Sequence, residues 1–172
     1  EEKLTSFQKA RERYQQRIDY EDGWPEETYT CYFRIAEIGQ WINKTMGKPQ
    51  DETQAISDYM KAHRILPKRN EALCRAMFIM RSKGKFKEAL HLGLQGLENE
   101  YSSTSLFAIK LMYGIHWLMA VMEIAFIAGE FQTVVDVGLG YLKKHGKDPN
   151  KTIEDEQRLH GVANAVAKAL VA

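Results

Sequence analysis

The sequence predicts an all-α fold in which antiparallel helix pairs stack into a right-handed superhelix, closed by a C-terminal capping helix. Three observations predict it. The four prolines, Pro25, Pro49, Pro67 and Pro149, all fall where a helix would begin or end, as the missing amide of proline requires. The intervals between them are rich in Ala, Leu, Met, Glu, Lys and Gln, the strong helix formers, and no window alternates apolar and polar residues between hairpin turns. One segment also recurs at a fixed spacing, the mark of a repeat architecture.

The elements follow in order. Thr5-Ser6 can cap a helix over 7–20. Asp22-Gly23-Trp24-Pro25-Glu26-Glu27 starts the next, with proline in the first turn and carboxylates at the positive end of the helix dipole. That helix runs to about Met46 and stops at Gly47-Lys48-Pro49. Asp51 caps a helix that continues to Leu66, before Pro67. Asn70 caps 71–83, ended by Gly84, and 86–99 follows. The polar stretch Tyr101-Ser102-Ser103-Thr104-Ser105 then supplies N-cap candidates for a long apolar helix over 106–128, stopped by Gly129. A helix over 131–145 stops at Gly146, and Asp148-Pro149-Asn150 breaks the chain. Thr152 with Asp155 resembles a capping box for the last helix, 153–171.

The repeat organises these helices. Gly84-Lys85-Phe86-Lys87-Glu88-Ala89-Leu90-His91-Leu92-Gly93-Leu94 aligns with Gly129-Glu130-Phe131-Gln132-Thr133-Val134-Val135-Asp136-Val137-Gly138-Leu139, 45 residues later. Weaker copies place Ala55 34 residues before Ala89, and Ala10 45 residues before Ala55. A small residue at this position lets two antiparallel helices approach. A 34-residue helix–turn–helix unit has the tetratricopeptide period, and the longer steps add about eleven residues to it. The expected units are 1–22 (second helix of a truncated first repeat), 23–67, 68–101, 102–146 and a cap over 147–172.

Length fits one domain. A net charge of +1 argues against a nucleic-acid partner, which needs a clear basic excess. Cys31 and Cys74 are too few for a disulfide framework and read as buried thiols of a reducing compartment, hence a cytoplasmic location. Glu1-Glu2-Lys3, followed by polar helix formers, does not read as a signal peptide. The apolar helix over 106–128 approaches the hydropathy of a membrane span, but it carries His116 and Glu123. A charge at mid-span is costly, so a buried helix and no span are expected.

Catalytic and metal chemistry find no constellation. Asp19-Tyr20-Glu21-Asp22 has acids near the spacing of a metal motif, yet its place at a helix start explains Asp22, Glu26 and Glu27. The five histidines, His63, His91, His116, His145 and His160, include no i,i+4 pair, and there is no Cys-x-x-Cys, so zinc is not expected. No nucleophile, base and oxyanion donors cluster. No cofactor and no enzyme activity are expected.

The basic run His63, Arg64, Lys68, Arg69, Arg75, Arg81, Lys83, Lys85 and Lys87 reads as a solvated surface, with an anion site as the second reading. The first helix of each pair lines the inner face of such a stack. At the 45-residue register this pairs Glu71 with His116, Cys74 with Met119, Phe78 with Glu123 and Arg81 with Phe126. A looser match adds Cys31, Arg34, Ile38 and Trp41. The candidate partner-binding residues are therefore Arg34, Trp41, Glu71, Phe78, Arg81, His116 and Glu123. Mixed charge with aromatic anchors suits a peptide, a protein or a glycan.

A family resemblance rests on further residues. Glu21-Asp22-Gly23-Trp24-Pro25-Glu26-Glu27-Thr28-Tyr29 leads to Tyr32-Phe33-Arg34-Ile35-Ala36, then Ala55, Tyr59 and Ala62, then Pro67, Arg69, Glu71 and Leu73, then Gly84 and Phe86. This pattern resembles the tetratricopeptide-like helical region found behind family 2 glycosyltransferase domains. It spans about residues 7–145 and departs at Asn70 and Ala72, where that family tends to have Ala and Pro. The resemblance implies a helical appendage of a sugar-transferring protein, its catalytic domain outside this chain. Two functions are thus expected: a non-catalytic scaffold holding a peptide or protein in its groove, or an accessory domain that positions a glycosyltransferase catalytic domain or glycan acceptor.

Overall fold

In the computed structural model the described residues are 2–20, 22–47, 52–105, 108–146 and 152–172. Among them the chain forms α1 (Glu2–Asp19), α2 (Pro25–Thr45), α3 (Glu52–Ile65), α4 (Asn70–Ser82), α5 (Phe86–Gln95), α6 (Gly114–Ile127), α7 (Phe131–His145) and α8 (Ile153–Leu170). A 3-10 turn at Lys110–Met112 precedes α6. No strand occurs among the described residues. None of the described helices is long and apolar enough to cross a membrane.

Each helix packs against the next in the chain. Close approaches give the directions. A Cβ on Gly93 would lie 3.1 Å from Met77 Sδ, and one on Gly96 would lie 2.6 Å from Asn70 Oδ1, so α4 and α5 are antiparallel. Glu37 of α2 pairs with Arg75 of α4 at 3.1 Å, and Glu123 of α6 with Arg81 of α4 at 2.5 Å. Tyr29 lies beside Ala72, and Asn70 beside Tyr113. These contacts set α2, α4 and α6 side by side in one direction, with α3 and α5 returning between them.

The 45-residue repeat is a repeat of geometry. Gly84 and Gly129 have φ of 72° and 74°, a left-handed conformation that glycine adopts at least cost. Gly84 N donates to Arg81 O at 3.0 Å and Lys85 N to Met80 O at 3.0 Å; Gly129 N donates to Phe126 O at 3.1 Å and Glu130 N to Ala125 O at 2.9 Å. The same two bonds close each helix, 45 residues apart. The packing repeats as well. A Cβ on Gly93 would meet Val121 Cγ2 at 2.8 Å besides Met77, while one on Gly138 would meet Val166 Cγ2 at 2.3 Å and Met122 Cε at 3.0 Å. Met77, Gly93 and Val121 thus correspond to Met122, Gly138 and Val166. α8 occupies the place on α7 that α6 occupies on α5.

The core follows this register. Ala72, Leu73, Ala76 and Ile79 of α4 and Trp117, Leu118, Val121 and Ile124 of α6 are buried, as are Ala89 and Leu90 of α5 and Val134 and Val135 of α7. Each large side chain so buried is worth about 1.5–3 kcal/mol. Trp117 also satisfies its indole N–H, donating to Gly93 O at 2.8 Å.

Several expected boundaries change. α1 starts before Thr5-Ser6, and Ser6 Oγ donates back to Glu2 O at 3.0 Å instead of capping. Asn70 is the first residue of α4 and does not cap it; Arg69 holds the N-cap position. α5 ends at Gln95 and not at Asn99. The long apolar helix expected over 106–128 is shorter: Tyr113 is extended (ψ 167°), Gly114 has φ of 58°, and α6 begins only there. The bend takes Tyr113 to partners on α4. The Thr152–Asp155 capping box forms in both directions. The expected Asp51 cap, the Lys48-Pro49 stop, the start of the apolar helix at 106 and the Asp148-Pro149-Asn150 break lie outside the described residues.

Candidate functional site

The basic run over 63–87 does not form one patch. Arg69 is buried against Glu71 at 3.1 Å, with its guanidinium 4.3 Å from the Tyr29 ring centroid. Arg75 goes to Glu37, Arg81 to Glu123, Lys83 to Glu52 at 2.9 Å and Lys87 to Glu130 at 3.0 Å. Helical periodicity sends these side chains in different directions; carboxylates of other helices or loops pair with four of them, and Arg69 pairs with Glu71 of the helix it precedes. Five of the nine basic side chains of the run are thus held in ion pairs.

The seven candidate groove residues divide. Phe78, with 45% of its surface exposed, lies on the same run of helices as the Arg81–Glu123 pair of α4 and α6. Arg34 is half-buried and donates to Glu37 at 2.7 Å, joining the Arg75 pair. Trp41 keeps 44% exposure but lies over Phe7 of α1, ring centroids 5.6 Å apart. His116 is exposed at the first turn of α6. Glu71 is only 2% exposed, so it cannot line a groove and is removed from the candidate set.

Glu71 is the centre of a buried polar node. Its Oε1 accepts from Ile109 N at 2.8 Å and its Oε2 from Tyr113 Oη at 3.1 Å and Arg69 Nε at 3.1 Å. Tyr29 Oη lies 3.5 Å from Oε2. The tyrosine hydroxyls also serve the first turn of α4: Ala72 N donates to Tyr29 Oη at 3.1 Å and Asn70 N to Tyr113 Oη at 3.3 Å. Those amides have no partner within the helix. Asn70 Nδ2 donates to Gly96 O at 3.0 Å and Met112 O at 2.8 Å, while Asn99 Nδ2 donates to Asn70 Oδ1 at 2.8 Å. Burial, then the Glu71 charge, pushes the Tyr113 hydroxyl from 10.0 up to about 12. Tyr29 is raised further, for the same two reasons. Both stay protonated and able to donate. The node ties α2, α4, α5 and the segment before α6 together.

One repeat later, the corresponding space is open. A cleft of about 950 Å³ lies between residues 97–101, 110–118 of the α6 start, 136–145 of α7 and the first turns of α8. At the 45-residue register Asn70 corresponds to Ile115, Glu71 to His116, Gly96 to Tyr141, Asn99 to Lys144 and Tyr113 to Arg158. The last four of these cleft positions and Ile115 all line it. The cause lies in helix lengths. α5 ends at Gln95, and the chain folds back over the start of α4 before α6 begins at Gly114. Gln95 corresponds to Gly140, but α7 continues to His145, and α8 is already helical from Ile153. Among the described residues, the end of α7 and the start of α8 stand where the earlier repeat has an inward-folded segment.

The cleft is aromatic and two-signed. Tyr101 and Tyr113 pack edge to face, ring centroids 5.8 Å apart, and Tyr141 packs on His145 at 4.3 Å. Its lining carries Glu98, Glu100, Asp136 and Glu154 together with Lys144, His145 and Arg158. Arg158 pairs with Glu154 within the cleft wall. Sequence reasoning found His116 of this set but not the cleft, because its walls come from three helices and a loop. Burial raises both thiols, Cys74 to about 11.

An all-α array of antiparallel helices with an open cleft at one end is what these features define. Comparison of the chain with family models, with curated proteins and with solved structures returned no match.

Proposed function

We propose that the chain is a non-catalytic helical-repeat scaffold of the tetratricopeptide kind, a right-handed superhelix that binds a peptide or protein partner on the face shared by α2, α4 and α6. The carrying observation is the recurrence of both the glycine corner and the Met–Gly–Val packing at 45 residues. Repeats of that sort contact only their neighbours and leave a long face free for partners. On that face Phe78, Met119 and Phe126 are exposed, next to the Arg81–Glu123 pair. Aromatic and arginine side chains supply most of the energy in such contacts. The two buried, unpaired thiols support a cytoplasmic setting.

The test is affinity capture with the intact chain, followed by Phe78→Glu and Arg81→Glu variants. Loss of the captured partner with unchanged thermal stability is the expected result. Retention of every partner by both variants removes this reading.

A second reading, an accessory domain of a glycosyltransferase, is favoured by one observation. Trp24, Glu26 and Glu27 of the family-like element line a 320 Å³ pocket with Tyr14 and Arg17, and Trp24 is 60% exposed. An exposed tryptophan at a pocket rim suits docking against a catalytic domain or a glycan acceptor. A nucleotide-sugar-binding domain in the same open reading frame decides for it.

A further inference from the structure

We infer that the 950 Å³ cleft between α6, α7 and α8 is a second binding site, taking a peptide segment of mixed charge. The counterpart one repeat earlier is filled. At the start of α4 the chain's own segment 108–113 enters as an extended stretch followed by a tight turn. It brings an amide N–H and a hydroxyl to the Glu71 carboxylate. At the start of α6 the same register carries His116 in place of Glu71, Lys144 in place of Asn99 and Arg158 in place of Tyr113. The central acceptor has become a donor, Lys144 adds a cation where Asn99 stood, and Arg158 is held by Glu154. The complement of the cleft is therefore a chain segment carrying a carboxylate, where the node takes one carrying donors. The first turn of α6 adds to this, because no side chain caps it and its leading amides point out of the helix end.

Charge elsewhere makes the occupant two-signed. Glu98 and Glu100 of the lining have no ion-pair partner among the described residues, and neither have Lys110 and Lys144. A simple anion would leave Glu98 and Glu100 unmatched. A peptide places its carboxylate at Lys144 and His116, its basic side chain at Glu98 and Glu100, and its apolar parts against Tyr101 and Tyr141. The volume falls in the range of about 300–1,000 Å³ typical of ligand sites. This site lies apart from Phe78 and Arg81, so it stands or falls separately from the face described above.

Gly140 gives a clean way to close it. A Cβ there meets no atom within 4 Å, and Gly140 lines the cleft. The test uses the intact chain against an array of dodecapeptides, each with one basic and one acidic side chain, and fluorescence anisotropy on those retained. Gly140→Trp and Lys144→Glu are each expected to raise Kd at least tenfold, and Phe78→Glu to leave it unchanged. Replacing the peptide's acidic residue by its amide is expected to cost at least tenfold as well. The proposal is overturned if no array peptide binds, if retained peptides ignore Gly140→Trp and Lys144→Glu, or if inorganic phosphate alone displaces them fully. Sensitivity to Phe78→Glu alone supports the α2–α4–α6 face and overturns the cleft.

Discussion

The start of α4 and the start of α6 are the same place in two successive repeats, and they have opposite characters. At α4 the node is closed: a carboxylate, two tyrosines, an arginine and Asn70 are buried and bonded to one another, with the half-buried Asn99 at their edge. At α6 the same positions carry His, Lys, Arg and Tyr around an open cleft. The helix packing underneath is shared, down to Met77–Gly93 against Met122–Gly138. A repeat therefore conserves its apolar register while leaving its helix ends free to become either a structural pin or a binding site. Fixed core packing does not constrain side chains that project past the last turn.

The sharpest way to break the comparison is to remove the central group of each region. Glu71→Ala leaves Arg69 buried without its carboxylate and is expected to cost about 3–5 kcal/mol. His116→Ala, at the corresponding exposed position, is expected to stay within about 0.5 kcal/mol. Urea unfolding of both variants measures the contrast, and similar midpoints would show that the two regions are alike. Next comes the shared packing. Gly138→Ala places a methyl 2.3 Å from Val166 Cγ2 and is expected to destabilise by about 1–3 kcal/mol through overpacking, read from the same experiment.

Tyr113→Phe is expected to cost about 1–1.5 kcal/mol, since it removes the hydroxyl between Asn70 N and Glu71. It also predicts a pH effect. The folded pKa of Tyr113 is raised from 10.0 to about 12, so the folded state holds its proton more tightly than the unfolded chain. The associated stability is present below pH 10 and lost as pH rises toward about 12. Chemical unfolding across that window should fall less steeply for Tyr113→Phe than for the wild type. A further effect has the opposite sign. Gly140→Ala meets no neighbour and is expected to stabilise α7 by up to about 1 kcal/mol from helix propensity, visible as a rise in Tm.

Much of the fold was legible because it rests on local rules. The Gly-x-Phe corners appeared as a 45-residue spacing because only a left-handed glycine closes both helices the same way. The Thr152–Asp155 box is likewise a short-range signal. The site was less legible. Glu71 looked like a groove residue because helical register gives direction but not what lies opposite. Tyr29, 42 residues before it, and Tyr113, 42 after, turn out to be its partners. The apolar run over 106–128 suggested one helix, since hydropathy could not show that Tyr113 bends away to reach α4.

The sequence by itself determined that the chain is all-α, where most helices stop, and that one packing unit recurs. Those properties depend on neighbours within about one helical turn, or on a glycine whose backbone conformation is intrinsic. Only the tertiary structure decided which charges meet, that the basic run is divided among partners on several helices, and that one helix start is sealed while the next is open. Those outcomes depend on side chains about 40 residues apart and on helices α7 and α8 reaching past the point where their counterparts turn inward.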